Sequence, residues 1–280
     1  MKLKVLAMCI ILLIALVTSG CGGASSEPAA TESGQAGQPP ASSEKTDEQS
    51  SGKLNTISDF SEAWNSAYNQ NEAAINNYEG VIMELATPGL EFISGIQFDL
   101  LNMENKNGHF EGELMMAGWP GVMEKDGAKI KFGYDTIREE DGFSPSMKAG
   151  DRLVEDGKCD LSKGTYQTES FTERNGEKVN RSYSEFKQLK NGDMICLMTT
   201  SYSINAMQEA VLSNTCIYIK AGKDKFDFVI GIATQGPAFE KLLMLDKDDL
   251  AKDEARQMME AAGYQIRDSG YVENGTLIVE

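Results

Sequence analysis

Seven turn-forming dipeptides, each an Asn-Gly or Asp-Gly pair, constrain the fold of this chain more than any other feature. They stand at Asn107-Gly108, Asp126-Gly127, Asp141-Gly142, Asp156-Gly157, Asn175-Gly176, Asn191-Gly192 and Asn274-Gly275. Such pairs favour the positive φ angles of two-residue hairpin turns. Between two of them, the apolar Ile130, Phe132 and Tyr134 alternate with lysine or glycine, which is the period of a half-buried strand. The chain from about residue 96 onward is therefore expected to be a long, curved antiparallel β-meander.

The stretches between the turns predict strands of two kinds. Residues 164–174 and 177–190 contain no internal breaker and favour long strands, but they are polar on both faces. We expect them to extend beyond the core as a solvated ribbon or an edge. Residues 194–198 and 228–232 are instead continuous apolar runs, as expected of central strands covered on both sides. Residues 205–213 are expected to be a short helix or a loop.

Helical periodicity precedes and follows the predicted sheet. The first apolar stripe, at steps of three, four and seven, consists of Ile57, Phe60, Trp64, Tyr68, Ile75, Tyr78, Ile82 and Leu85. It predicts one long helix or two consecutive ones, with Ser58 as N-cap and an end before the Pro88-Gly89 turn. A second helix is expected over about residues 253–262, closing at Gly263, before a hairpin across Asn274-Gly275. The predicted fold class is α+β: an N-terminal helix, a long curved antiparallel β-meander, a C-terminal helix and a short hairpin.

The N-terminal residues have the pattern of an export signal. Lys2 and Lys4 precede thirteen consecutive apolar residues, 5–17, too few to span a hydrocarbon core of about 30 Å comfortably. The next residues, Thr18-Ser19-Gly20-Cys21, resemble the lipobox of bacterial lipoproteins, with Thr18 where a leucine is usual. The resemblance implies cleavage after Gly20 and lipidation of Cys21. It predicts a protein held by that lipid at the extracytoplasmic face of the cell membrane; the alternative is an ordinary secretory signal.

Three segments of unlike composition follow from this assignment. Residues 1–20 are the signal peptide, residues 21–54 the lipidated cysteine and a tether rich in Ser, Gly, Glu and Pro, and residues 55–280 a single acidic domain. The tether lacks the apolar side chains needed to offset ordering entropy, so we expect it to be flexible. The whole chain carries −17 at neutral pH, and the 38 acids and 22 bases of residues 55–280 leave that domain at −16. Such a domain repels nucleic acid and anionic lipid headgroups, which excludes them as its partners.

Most catalytic and metal-binding chemistries have no support in the residue inventory. His109 is the one imidazole, which excludes Ser-His, Cys-His and two-His metal centres. No nucleotide-binding or hydrolase motif is present, and we expect neither a cofactor nor a metal. Of the three cysteines in the domain, Cys196 and Cys216 either cross-link, if their strands are neighbours, or remain buried thiols together with Cys159.

The remaining candidates are contact residues. Trp64, Trp119, Met115 and Met116 could touch a ligand or a partner, since large or adaptable apolar side chains suit irregular pockets. Long strands with helices on one face also resemble, in architecture, the curved half-barrels of lipoprotein-carrier and related periplasmic lipid-binding families. That resemblance implies a non-enzymatic binding protein for an apolar ligand. The alternatives are a surface module that recognises a cell-envelope protein, and a hydrolase that uses carboxylates alone.

Overall fold

The structure, a computed structural model, describes residues 54–76, 81–100, 108–114, 119–141, 148–204, 210–223, 225–233 and 241–280. Five helices lie in these ranges: α1 (Ile57–Asn69), α2 (Glu72–Ile75), α3 (Ile82–Leu90), α4 (Phe92–Leu100) and α5 (Lys252–Ala261). The strands are β1 (His109–Leu114), β2 (Trp119–Asp126), β3 (Lys129–Ile137), β4 (Arg152–Asp160), β5 (Thr165–Arg174), β6 (Glu177–Gln188), β7 (Met194–Ile204), β8 (Ala210–Gly222), β9 (Lys225–Ala233), β10 (Gln265–Glu273) and β11 (Thr276–Val279). None of the described helices is long and apolar enough to cross a membrane.

The eleven strands form one open antiparallel sheet in which every strand pairs with its neighbours along the chain. The antiparallel sheet expected from the turn pairs is thereby confirmed. At Asn175-Gly176, φ is 53° and 81°, and at Asn274-Gly275 it is 50° and 72°. Both residues of each pair are left-handed, as a type I′ hairpin turn requires, and only glycine or a small polar residue adopts that conformation readily.

Among the pairs that lie wholly within the described residues, one is not a turn. Asp156-Gly157 lies inside β4, opposite Gly133 and Phe132 of β3. A Cβ at Gly157 would lie 2.1 Å from Cζ of Phe132. The glycine is needed because the ring of Phe132 crosses the backbone of the next strand, so the prediction of a hairpin there is wrong.

The helices also depart from their predicted ends. The N-cap of α1 is Thr56 rather than Ser58: the amide of Asp59 donates to Thr56 Oγ1 at 3.0 Å, and the amide of Thr56 donates to Asp59 Oδ2 at 3.1 Å. This reciprocal pair is a capping box. The predicted stop before Pro88 is wrong as well, since α3 continues to Leu90 with Pro88 buried inside it. Packing against the sheet outweighs the cost of a proline near a helix end.

The first face of the sheet is the one that carries Phe132, Tyr166 and Phe186, and helices α1, α3 and α4 contribute to the same core. Its centre is aromatic. Phe92 lies 4.5 Å from Phe186 and 4.8 Å from Tyr166, measured between ring centroids. This packing attaches the helices to the middle of the sheet.

The second face is covered over β7, β8 and β9 by residues 241–250 and by α5. Residues 194–198 are all buried, as are 228–231, and these strands contribute to both cores. The prediction that the two apolar runs are central strands covered on both sides is confirmed. The 241–250 segment is held by polar contacts: the hydroxyl of Tyr218 donates to the carbonyl of Leu250 at 2.6 Å, and the carboxylate of Glu185 accepts the amide of Met244 at 2.6 Å.

Two expectations about the middle of the chain need correction. Strands β5 and β6 are long, as predicted, but they are neither an edge nor a ribbon outside the core, because they occupy the middle of the sheet and bury Tyr166 and Phe186. Several of their polar residues, among them Thr168, Ser182 and Ser184, make hydrogen bonds on the inner side of the sheet. Residues 210–213 belong to β8 and not to a helix or loop, whereas 205–209 lie outside the described residues.

The cysteines of the described domain are reduced and buried. Although β7 and β8 are neighbours, Cys196 belongs to the core on the first face and Cys216 to the core on the second. Because their side chains leave the sheet on opposite faces, these two residues cannot be joined without rebuilding the strands.

Candidate functional site

Glu91 is the single residue between α3 and α4, and its side chain reaches the first face of the sheet. Its carboxylate accepts hydrogen bonds from the hydroxyls of Ser184 at 2.8 Å, Thr168 at 3.2 Å and Ser182 at 3.3 Å. Alternation along β5 and β6 places these three hydroxyls on the same face as Tyr166 and Phe186. Polar side chains of β5 and β6 therefore surround the carboxylate of Glu91.

The electrostatic state of Glu91 follows from those partners. Burial raises the pKa of Glu91 above its ordinary value, and the hydrogen bonds from Ser184, Thr168 and Ser182 offset that rise only in part. Neutral hydroxyl donors stabilise a carboxylate less than a cation does. A carboxyl group whose protonated form is favoured in this way is a frequent mark of a functional site.

Glu91 lies at the junction of two adjoining cavities of about 220 and 290 Å³. Together they form the helix–sheet cleft, the space between the α3–α4 junction and strands β1 to β6. The smaller cavity is lined by Leu90, Glu91, Ile93, Gln97, Leu114, Trp119, Tyr134, Glu155 and Ser170. The larger one shares Glu91, Trp119, Tyr134 and Ser170 and adds Arg138, Asp151, Asn180 and Ser182, among others. Each volume is just below the lower end of the range of about 300–1,000 Å³ that small-molecule sites occupy.

A second carboxyl group, Glu155, lines the smaller cavity. It is 9% exposed and lies on the same face of β4 as Leu153 and Cys159. The hydroxyl of Tyr134 is hydrogen-bonded to Glu155, and burial together with the negative charge of Glu155 raises the pKa of Tyr134. The phenol therefore stays protonated and donates to the Glu155 carboxylate. The cleft thus holds two carboxyl groups in unlike environments, one among hydroxyls and one beside a phenol.

The end of the cleft at β3 and the β6 hairpin is more strongly polar. Arg138 lies over the ring of Trp119, with its Cζ 5.5 Å from the ring centroid. Asp151 is 2% exposed and is held by Arg174, whose Nε and Nη2 donate to the two carboxylate oxygens at 2.7 Å each. Asn180 lies beside Ser182 on β6 and also lines this end.

The structure separates the four predicted contact residues. Trp119 lines both cavities, whereas Trp64 is 1% exposed and packs edge to face on Phe186 at 5.2 Å, in the aromatic core and away from the cleft. Met115 and Met116 lie outside the described residues, as does Cys21. The roles of Trp119 and Cys21 stay predictions.

Glu91, Tyr134, Arg138 and Glu155 were not recognised from the sequence. A signal for Glu91 exists: it is the only charged residue from position 85 to position 98, in a stretch that is otherwise mostly apolar. A lone acid in such a run has to be buried or to end an element. Tyr134, Arg138 and Glu155 occur in segments with the spacing of ordinary strand and surface residues, so nothing in the sequence distinguishes them.

Among the residues that the structure describes, no group of three His, Cys, Asp or Glu side chains is placed to hold a metal ion. Comparisons with protein-family models, with curated proteins and with solved structures found no match for this chain.

Proposed function

We propose that the protein is a lipid-anchored extracytoplasmic binding protein whose helix–sheet cleft takes an apolar or amphipathic ligand. The observation that carries the proposal is the lining of the cleft: Trp119, Leu114 and Ile93 form an apolar wall, and a few polar groups converge on it. Concave sites of this composition, with few oriented polar groups, are typical of small-molecule binding.

The arrangement of the helices supports this reading. Helices α3 and α4 lie over one face of an open meander, and the cleft opens between them and the strands. This is the layout that the resemblance to lipoprotein-carrier half-barrels implies. The aromatic core fills the middle of that face, so the proposed ligand is small and lies toward β2–β6 rather than under α1.

The anchor is a separate part of the proposal. Cys21 carries the lipid, and the tether to residue 54 spaces the acidic domain from the membrane. We expect intact-mass spectrometry of the membrane fraction to find the mature chain beginning at Cys21 with attached acyl chains, and Cys21→Ser to release it. A mature N-terminus elsewhere, or an unmodified Cys21, would contradict the anchor without affecting the cleft.

The cleft is tested with a neutral apolar probe, N-phenyl-1-naphthylamine, whose fluorescence rises in apolar sites. The full chain carrying Cys21→Ser is expected to bind it saturably. Ser170→Phe, which fills a position shared by both cavities, should weaken binding about tenfold or more, whereas Ser66→Phe, on the exposed side of α1, should not. Absence of saturable binding, or equal binding by the Ser170 variant with its fold intact, would refute the proposal.

A second candidate, a hydrolase that uses carboxylates alone, is favoured by one observation: Glu91 and Glu155 line the same cavity. In it, Glu91 with its raised pKa donates a proton to the leaving group, while Glu155 accepts a proton from the attacking water. Nitrophenyl esters and glycosides are the test substrates. Turnover that is lost in both Glu91→Gln and Glu155→Gln would support it, and turnover that survives either change would exclude this mechanism.

A further inference from the structure

Arg138 and Asn180, at the polar end of the cleft, each have a buried atom whose hydrogen-bonding capacity is unused. Within the part of the chain that the structure describes, Arg138 Nε and Asn180 Oδ1 are inaccessible to solvent and have no hydrogen-bond partner. Both residues line the larger cavity. A buried donor or acceptor without a partner costs stability, so two of them in residues that line one cavity point to a group that a ligand supplies when it binds.

Arg138 is positioned as a recognition side chain rather than as part of a structural ion pair. Its guanidinium lies over Trp119, which restricts the rotamers available to it. The other described arginines, at positions 152, 174, 181, 256 and 267, each lie within 4 Å of a carboxylate oxygen, whereas no such ion pair of Arg138 is found among the described residues. A planar fork held by a ring is well suited to a carboxylate or phosphate.

The nearby acid does not neutralise Arg138. Both oxygens of Asp151 accept from Arg174, so that pair is already balanced. Burial by itself would raise the pKa of Asp151, but the hydrogen bonds and charge of Arg174 lower it, with a further contribution from the charge of Arg138. The charged residues that line the larger cavity are Glu91, Asp151, Arg138 and Arg181. Asp151 is paired with Arg174, and Arg181 lies 3.9 Å from Glu169. The raised pKa of Glu91 favours its neutral form, so among the described residues no ion pair balances the charge of Arg138.

From this geometry we infer that Arg138 and Asn180 hold the anionic head group of the ligand, a carboxylate or a phosphate, while its apolar part lies along Trp119, Leu114 and Ile93. The inference rests on the proposed binding function and names the class of ligand: an amphipathic anion. Arg138 Nε donates to the anion. Asn180 Oδ1 can only accept, so it is paired by a head group that keeps an O–H, such as a singly protonated phosphate, and not by an ionised carboxylate. Glu91, at the junction of the two cavities, lies between the proposed head group and its chain, where a protonated carboxyl is compatible with an apolar neighbour.

The test uses amphiphiles with one chain and three head groups: decanoate, decanol and decyltrimethylammonium, titrated by calorimetry into the full chain carrying Cys21→Ser. We expect decanoate to bind about tenfold more tightly than decanol, and the cation to bind most weakly. Arg138→Met should abolish the preference for decanoate over decanol. Arg152→Met is the matched control, because Arg152 is an exposed arginine of the adjacent strand that pairs with Asp135 and does not line the cleft.

The outcomes separate the two proposals. Failure of all three amphiphiles to bind would overturn the binding function itself. Equal binding of decanoate and decanol, or a preference that survives Arg138→Met, would overturn only the assignment of the head group.

Acetate and inorganic phosphate distinguish a lipid-like ligand from a small anion. They should displace decanoate only at concentrations a hundredfold or more higher, since each buried methylene contributes roughly a fourfold gain in affinity. Displacement by acetate at the same concentration as decanoate would overturn the amphipathic ligand.

Discussion

Phe92 is the side chain on which the position of the helices over the sheet depends most directly. It begins α4, is fully buried, and its ring lies 4.5 Å from Phe186, 4.8 Å from Tyr166 and 5.9 Å from Phe60. Phe92→Ala removes the transfer free energy of the ring and leaves a cavity among three other rings. Substitutions of this kind cost about 3–5 kcal/mol, of which about 0.5–1.5 kcal/mol belongs to each aromatic pair. We expect a loss near the middle of that range.

The same change should reach the cleft. Glu91 directly precedes Phe92 and is held by the hydroxyls of β5 and β6, so loosening α4 displaces the wall that carries Ile93. Urea unfolding followed by far-UV circular dichroism measures the stability, and binding of N-phenyl-1-naphthylamine measures the cleft. Both should fall in Phe92→Ala, while Phe92→Leu, which keeps most of the apolar volume but loses the aromatic pairs, should cost less than Phe92→Ala and retain binding.

Ile137→Ala serves as the control, because Ile137 is an apolar residue that is 63% exposed. It should change stability by no more than about 0.5 kcal/mol. If Phe92→Ala cost less than about 1 kcal/mol with an unchanged slope against urea, the helices would not be held by this aromatic packing. Our account of what positions Glu91 would then be refuted.

Three further predictions concern buried polar groups. Because burial raises the pKa of Glu91, the native state binds an extra proton and stability falls as pH rises from about 4.5 toward the folded pKa; Glu91→Gln should remove that dependence in urea midpoints measured across the interval. Glu185→Ala should lower the free energy of unfolding, measured in urea, by about 2–6 kcal/mol, because the buried amide of Met244 and the buried hydroxyl of Tyr183 would lose their acceptor. The pKa of Asp151 is lowered by Arg174, so the stability from that pair is present above the ordinary aspartate value and is lost as pH falls through the folded pKa; Asp151→Asn should cost about 2 kcal/mol or more at neutral pH and show a weaker acid dependence.

Each of these has an outcome that would count against it. An unchanged pH profile in Glu91→Gln would mean that Glu91 is solvated in the native state. A cost below 1 kcal/mol for Glu185→Ala would mean that the 241–250 segment is not held through Glu185. An acid dependence of Asp151→Asn equal to that of the wild type would assign the acid sensitivity to other carboxylates.

Hairpin turns could be predicted from the sequence where the backbone conformation alone selects the residue types. Asn175-Gly176 and Asn274-Gly275 adopt positive φ at both residues, because few other dipeptides tolerate that geometry. Asp156-Gly157 belongs to the same class of turn-forming dipeptide, but its glycine is required by the ring of Phe132 on the adjacent strand. In a single sequence, a glycine required because the neighbouring strand leaves no room for a Cβ cannot be distinguished from a glycine required for positive φ.

Only part of the candidate site could be predicted from the sequence in the same way. Trp119 was recognised as a contact residue from its size and its Pro-Gly context, and it lines both cavities. Trp64 has an equally large side chain but lies on the inner stripe of α1, 1% exposed. Arg138 and Glu155 have no distinguishing spacing, and their roles depend on which strands are adjacent.

The antiparallel meander, the two apolar central strands and the acidic balance of the domain could be predicted from the sequence, because φ preference and side-chain alternation are local and net charge is a sum over residues. The position of the polar strands β5 and β6 in the middle of the sheet depends instead on contacts between residues far apart in the chain. There their hydroxyls meet Glu91, which is 77 residues from Thr168 and 93 from Ser184 along the chain. A polar residue in a strand is predicted to be exposed unless a buried partner for it is known. In this protein that partner is Glu91, at a helix junction far away along the chain.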